Sequence, residues 1–297
     1  MSLLRRALLA NALFSATTGT LALLAPDRVA TWLGLDAPAV IQSTGAQLLG
    51  FAAFVAFVAR RRRPQPGSVM LISAADLLWV LGTAALLAGW SELLSVTGIT
   101  LLVGIAALVD TFAILQLAGL ARQYRHPDPD ATHTHRLCLK TTVDAPAPAM
   151  WSVVSDLPGI ARHSASLRES HLIAGDAPGP DAARQCIDVR DRRWTERVID
   201  WQPGRAFTLR FETDAPDFPF PFRAMVGGWT VEATDHGTEV SVWWDVTPRT
   251  KHLGGLVVAA MAAMSAPSMR RLITTMAAAA RGEDSTPRRA GHLVACS

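Results

Sequence analysis

Lysine is nearly absent from this chain. Lys140 and Lys251 are the only two in 297 residues, and arginine supplies the rest of the positive charge. The net charge is only +3. Outside Arg60 to Arg63 there is no basic stripe, and no nucleic-acid motif occurs, so nucleic acid is not an expected partner. Cysteine is also scarce. Cys138, Cys186 and Cys296 are odd in number and form no C-x-x-C pair. That argues against a disulfide framework and a zinc centre and fits three free thiols in a reducing compartment. There is no G-x-S-x-G, no Cys–His pairing that can be placed, and no phosphate-binding glycine loop. No metal and no cofactor is expected.

Charge is thin in one half of the chain only. From Ala7 to Leu117 it is nearly confined to one arginine run, whereas from Arg136 to Arg281 charged and apolar residues alternate as in a soluble domain. The first half holds four apolar runs, Ala7 to Ala25, Ala39 to Ala59, Val69 to Trp90 and Val96 to Leu117. Each has about the 20 residues that cross ~30 Å of hydrocarbon. Residues 1–120 therefore read as a four-helix transmembrane domain. Arg5 and Arg6 precede the first run, Arg60 to Arg63 separate the second from the third, and Arg122 and Arg125 follow the fourth. The positive-inside rule then places both termini and the soluble half in the cytoplasm of a bacterial-type inner membrane. A fifth uncharged stretch, Leu253 to Met269, is short, rich in small residues and interrupted by Pro267, and is expected to belong to the soluble half.

Polar residues within apolar spans are costly and mark function or helix contacts. The candidates are Asn11, Gln47, Asp76, Asp110 and Gln116. Asn11, Asp76 and Asp110 lie at similar depth and are expected to form one cluster. Two readings stand: interhelical glue, or a site for a proton, an ion or a head group. No transporter-like inverted repeat is visible.

Residues 121–135 read as a linker, with prolines, polar residues and the histidines His126, His133 and His135. Alternation begins at Leu137, Leu139, Thr141 and Val143, which marks a strand. Two short helices follow, to about Ser155 and His163. Six strands are expected at 167–174, 183–190, 193–201, 205–213, 222–234 and 238–247, then a long helix over about 251–281. Residues 282–297 read as a disordered tail.

This order, with the segments APAPAMWSVVSDLPGIARHSASLRES and RWTERVIDWQPGRAFTLRF, resembles the START-like SRPBCC superfamily, in particular its polyketide cyclase/dehydrase-type members. Trp151, Asp156, Pro158 and the W-x-P-G turn at Trp201 to Gly204 carry the likeness, which covers 136–281. It implies a helix-grip α+β fold: a curved antiparallel sheet around a long C-terminal helix, enclosing a cavity for a lipid, isoprenoid or polyketide-like molecule. The cavity lining is then expected from Trp194, Phe207, Leu209, Phe211, Met225, Trp229, Trp244, Met261 and Met264. Aromatics and methionines suit an adaptable apolar pocket, and equally a plain core.

Two residues could carry chemistry. His163 takes a place near the expected cavity mouth where family members often have an aromatic residue. Glu196 would be a buried general base if Trp194, Glu196, Val198 and Asp200 face inward, and part of a surface ion-pair set if they do not. The segment Asp217-Phe218-Pro219-Phe220-Pro221-Phe222 either closes the cavity mouth, dips into a membrane leaflet or folds back on the core. The sequence thus points to a membrane-anchored domain that binds a hydrophobic small molecule. A cyclase/dehydratase-type enzyme and a partner-binding structural or regulatory membrane protein are the alternatives.

Overall fold

The long apolar runs become long helices because nothing in them competes with i→i−4 bonding, and prolines and glycines mark their ends. A computed structural model describes residues 1–61, 63–131, 133–250, 252–283 and 294–295. Arg62, Lys251, Cys296 and most of the expected tail lie outside the described residues. The chain divides into two units, Met1–Gln123 and Tyr124–Ser297.

The first unit contains α1 (Leu3–Leu24), α2 (Pro26–Leu33), α3 (Pro38–Arg60), α4 (Pro66–Trp90) and α5 (Val96–Arg122), with a 3-10 turn at Ser91–Leu93 before α5. Proline opens α2, α3 and α4 in their first turns, where its missing N–H costs nothing. Ser2 caps α1 and Ser95 caps α5. The α1–α3 contact depends on Gly19 and Gly45, since a Cβ on either would lie within 3 Å of the other's carbonyl oxygen. α1 also packs on α5, and α5 on α4. The short α2 was not expected. It is amphipathic, ends on the left-handed Gly34, and is tied to α5 where Ser95 Oγ donates to the Trp32 carbonyl at 2.6 Å.

The second unit begins with β1 (His135–Val143), α6 (Ala147–Val154), α7 (Ile160–His163), β2 (Leu167–Ala174) and β3 (Ala183–Asp188). It continues with β4 (Arg193–Gln202), β5 (Ala206–Phe211), β6 (Phe222–Thr234), β7 (Gly237–Pro248), α8 (Gly254–Ala280) and β8 (Val294–Ala295). Seven antiparallel strands run in the order β2-β3-β4-β5-β6-β7-β1, and β8 adds to the free edge of β1. β8 falls in the stretch expected to be a disordered tail. α8 lies against the concave face: its Val258, Ala262, Leu272, Ile273 and Met276 share one core with Leu137, Leu139, Val198, Phe207, Leu209, Val240 and Val242 of the strands. This is the helix-grip architecture.

Among the described residues, five helices are long and apolar enough to cross a membrane: α1, α3, α4 with the turn after it, α5 and α8. α8 has the necessary length, but one side of it is spent on the sheet.

The cysteines depart from expectation. Cys138 is disulfide-bonded and Cys186 is a buried free thiol. The linker departs as well. Tyr124 packs on the core, where burial pushes its phenol up to about 12, and His126 Nε2 lies 3.3 Å from Asp245 Oδ2 on β7. Residues 124–135 are therefore held on the second unit by an aromatic anchor and a polar one.

Candidate functional site

Strand parity brings the expected lining together. Phe207, Leu209, Phe211, Met225 and Trp229 are all buried on the concave face, with Trp194, Trp244 and Met261 partly buried against them. Gly227 stands directly opposite Trp244, and a Cβ there would meet the indole at 2.7 Å. The bare backbone is what admits the tryptophan. Trp151 on α6 meets Trp201 edge-on at 5.4 Å, and Trp201 stacks on Phe207 at 5.5 Å. The turn after Trp201 needs its glycine, because Gly204 has φ +79°.

Met264 is the exception. It is 75% exposed and does not line the concave space. At 100° per residue it lies about opposite the side of α8 that carries Val258, Ala262 and Ile273.

β5 and β6 stop pairing beyond Arg210 and Val226, and Phe211 pairs onward only with Glu196 of β4. The ladder opens there, with the Thr213 hydroxyl donating across it to the Arg223 carbonyl at 2.8 Å, and a groove of about 530 Å³ lies between the strand ends, lined by Arg210, Phe211, Glu212, Thr213, Asp214 and Ala215 on one side and Ala224, Met225 and Val226 on the other. The phenylalanine loop lies between these strand ends. Phe218 is buried in the core, Phe220 meets Phe218 edge-on at 5.4 Å and Trp194 at 5.3 Å, and Phe222 is fully buried. All three rings turn inward, so the loop does not present them to a bilayer.

Glu196 faces inward with Trp194 and Val198, and it is buried. Asp200 does not share that face. A bulge between Val198 and Asp200 turns Asp200 outward and brings Trp201 in. Glu196 is not a free base. Its Oε2 accepts Arg184 Nη2 at 2.6 Å and Nε at 2.9 Å, and its Oε1 accepts the Trp194 indole N–H at 2.6 Å. Arg184 stands directly opposite on β3, and its Nη1 donates to the Leu157 carbonyl at 2.8 Å. Neighbouring Cys186 is pushed up to about 12 by burial and by the Glu196 charge, so its thiol is inert.

His163 ends α7, partly buried. Its carbonyl accepts the Thr275 hydroxyl of α8 at 3.0 Å. Burial, and then the neighbouring Arg162 charge, hold its imidazole below the usual histidine range. Among the described residues no hydrogen bond joins His163 to Glu196, so the two candidate acid/base groups do not form a pair.

In the first unit, Asn11 and Asp76 meet as expected: Asn11 Nδ2 donates to Asp76 Oδ2 at 2.8 Å. Asp110 does not join them. It is only partly buried, and Gln116 takes the place expected for it, with Nε2 donating to Asp76 Oδ2 at 3.1 Å. Ser15 and Ser73, which sequence reasoning missed, complete the cluster. Single serines on apolar helices give no pattern to find.

Comparison with known proteins bears on the second unit. The family model for polyketide cyclase / dehydrase and lipid transport matches residues 134–281. No curated protein matches the chain. Among solved structures, the Zhui aromatase/cyclase from Streptomyces sp. R1128 is 17% identical over 51% of this chain and all of its own, with a TM-score of 0.42. A protein from Thermobifida fusca is 20% identical over 49% of this chain and 93% of its own, with a TM-score of 0.38. Ginseng major latex-like protein 151 from Panax ginseng is 11% identical over 47% of this chain and 98% of its own, with a TM-score of 0.36. On the family match, residues 134–281 of this chain are an SRPBCC-type domain and belong to the polyketide cyclase / dehydrase and lipid transport family.

Proposed function

We propose that this protein is a membrane-anchored helix-grip domain that binds a hydrophobic small molecule, of lipid, isoprenoid or polyketide-like chemistry, between its sheet and α8. The observation that carries this reading is the open end of the β5–β6 ladder. There a groove of about 530 Å³, lined in part by the charged Arg210, Glu212 and Asp214, reaches the buried Phe211 and Met225 beside an inward-turned phenylalanine loop. Such a loop can move aside at the cost of a few ring contacts, while the seven-stranded frame stays in place. Four spans, α1, α3, α4 and α5, provide the anchor in this reading, and α8 covers the cavity. Anchoring raises the encounter rate with molecules that partition into the bilayer, without adding any contact.

An enzyme of the cyclase/dehydratase kind would need a free base in the cavity. Both Glu196 oxygens are already engaged, which favours binding over catalysis. The arginine pattern supports a cytoplasmic domain. The Cys138 disulfide pulls the other way, since disulfides persist in oxidising compartments. Reporter fusions at the C-terminus decide the side.

The binding reading is tested by native mass spectrometry of the full-length protein purified from its own membrane. A defined hydrophobic molecule should co-purify and be lost when Phe211 and Met225 are both changed to polar residues of similar size. Recovery of only bulk membrane lipid, unchanged by those substitutions, would overturn it.

A further inference from the structure

Five polar side chains of the first unit converge. Asn11 is the only asparagine in the whole chain. Its amide and that of Gln116 both donate to one oxygen of Asp76, at 2.8 and 3.1 Å. The two amide oxygens are turned away and occupied: Ser15 Oγ donates to Asn11 Oδ1 at 3.1 Å, and Ser73 Oγ donates to Gln116 Oε1 at 2.9 Å. All five residues are buried.

The orientation of these groups selects an occupant. A metal ion or sodium would need amide oxygens beside the carboxylate, but N–H groups point there instead, drawn by the Asp76 oxygen that accepts both of them, and the serine hydroxyls satisfy the amide oxygens that face away. A cation would meet donor hydrogens on the Oδ2 side. No arginine, lysine or histidine reaches Asp76 either. The charged groups on the packed elements are Arg5 and Arg6 on α1, Asp27 and Arg28 on α2, Arg60 on α3, Glu92 in the turn after α4, and Asp110 and Arg122 on α5. None of them forms an ion pair with Asp76 among the described residues. A lone carboxylate in an apolar bundle requires a counter-charge, and a proton is the one this geometry accepts.

We propose that Asp76, with Asn11 and Gln116 as donors and Ser15 and Ser73 satisfying their amide oxygens, is a proton-binding site inside the unit that the proposed function places in the membrane. One proton adds to the carboxylate at Oδ1, the oxygen that receives neither amide, and leaves again to water. No bond to carbon forms or breaks. The two amides support the anion when the proton is absent, so both protonation states are provided for. The site also joins helices. α1 and α4 both pack on α5, and the Asn11–Asp76 bond ties α1 to α4 directly. Proton binding therefore acts on the contact that links the two sides of the unit. Counting from the helix ends that carry or face the arginines, the site is about 9–15 Å deep.

The test is infrared difference spectroscopy of the full-length protein in lipid nanodiscs, titrated with pH, reading the carbonyl stretch of a protonated carboxyl. A titrating band is expected that Asp76→Asn removes and Asp110→Asn leaves in place. Asn11→Ala and Gln116→Ala should each change the proton affinity about tenfold, the worth of one hydrogen bond to a charged acceptor. Asp76→Glu serves as the conservative variant and should restore a titrating band. A band that does not titrate, or that survives Asp76→Asn, would overturn the proposal and leave the cluster as helix packing. A titration that shifts when sodium replaces potassium at constant ionic strength would overturn it in favour of a cation site.

Discussion

Each unit of this molecule buries a carboxylate, and the two are neutralised in different ways. Glu196 in the helix-grip domain is held by a guanidinium, with Arg184 donating twice to one oxygen. Asp76 in the helical unit is held by two uncharged amides. The first arrangement carries its counter-charge permanently and locks a β3–β4 pair onto the Leu157 carbonyl. The second has dipoles only, and its counter-charge must come from solution. Burial alone therefore says little about role. What matters is whether the protein supplies the opposite charge.

The difference is open to measurement. Removing Arg184 should have the largest effect, because it strands a buried anion. Arg184→Met is expected to cost about 3–5 kcal/mol in the unfolding of the domain, followed by near-ultraviolet circular dichroism of the full-length protein. Arg184→Met with Glu196→Leu should recover most of that loss; a double variant no better than the single would show that the pair is not the source. Trp194→Phe deletes one N–H donor to the same carboxylate and should cost about 1–3 kcal/mol.

Acid should separate the units further. His135 and His163 lie below the ordinary value of 6.5, in each case mainly through burial. The unfolded chain therefore binds more protons once the pH drops below about 6.5. Domain stability should fall from there down to the folded-state values and level off below them. A stability flat from pH 7 to 5 would contradict this. The smallest effect is expected at Asp76→Asn, about 1 kcal/mol or less. The new side chain keeps an oxygen for both amide donors, and single polar contacts in membranes are weak. A cost as large as that of Arg184→Met would erase the contrast between the two sites.

Much of the domain was legible from residue alternation. The spans expected at 167–174 and 222–234 coincide with β2 and β6. The face of β4 was open in the sequence, since alternation alone does not say which side is inward, and the bulge after Val198 that reverses parity leaves no mark in composition. Met264 failed for a different reason. Residue type alone suggests a pocket methionine, whereas its angle around α8 puts it on the far side from the sheet. Asp110 differs similarly: it shares the helical unit with Asn11 and Asp76, but it sits about 240° around α5 from Gln116. Depth can be read from a hydropathy profile, whereas azimuth requires knowing which side of a helix its neighbours occupy. The Arg184–Glu196 pair was hidden because strand register is set by pairing, not by spacing within one strand.

The two-residue β8 has a consequence for the behaviour of the protein in solution. An open sheet has two unpaired edges, and each can template the strand of another molecule. β2 at one edge carries Arg168 and Glu169, charges that discourage stacking. β1 at the other edge instead receives Val294 and Ala295 opposite Lys140 and Leu139. Residues 294–295 of the same chain thus take up the middle of the edge that an aggregating neighbour would use. Cutting the protein after Ala280, or loading a bulky fusion onto its last residues, should turn a monodisperse preparation into one that self-associates through β1.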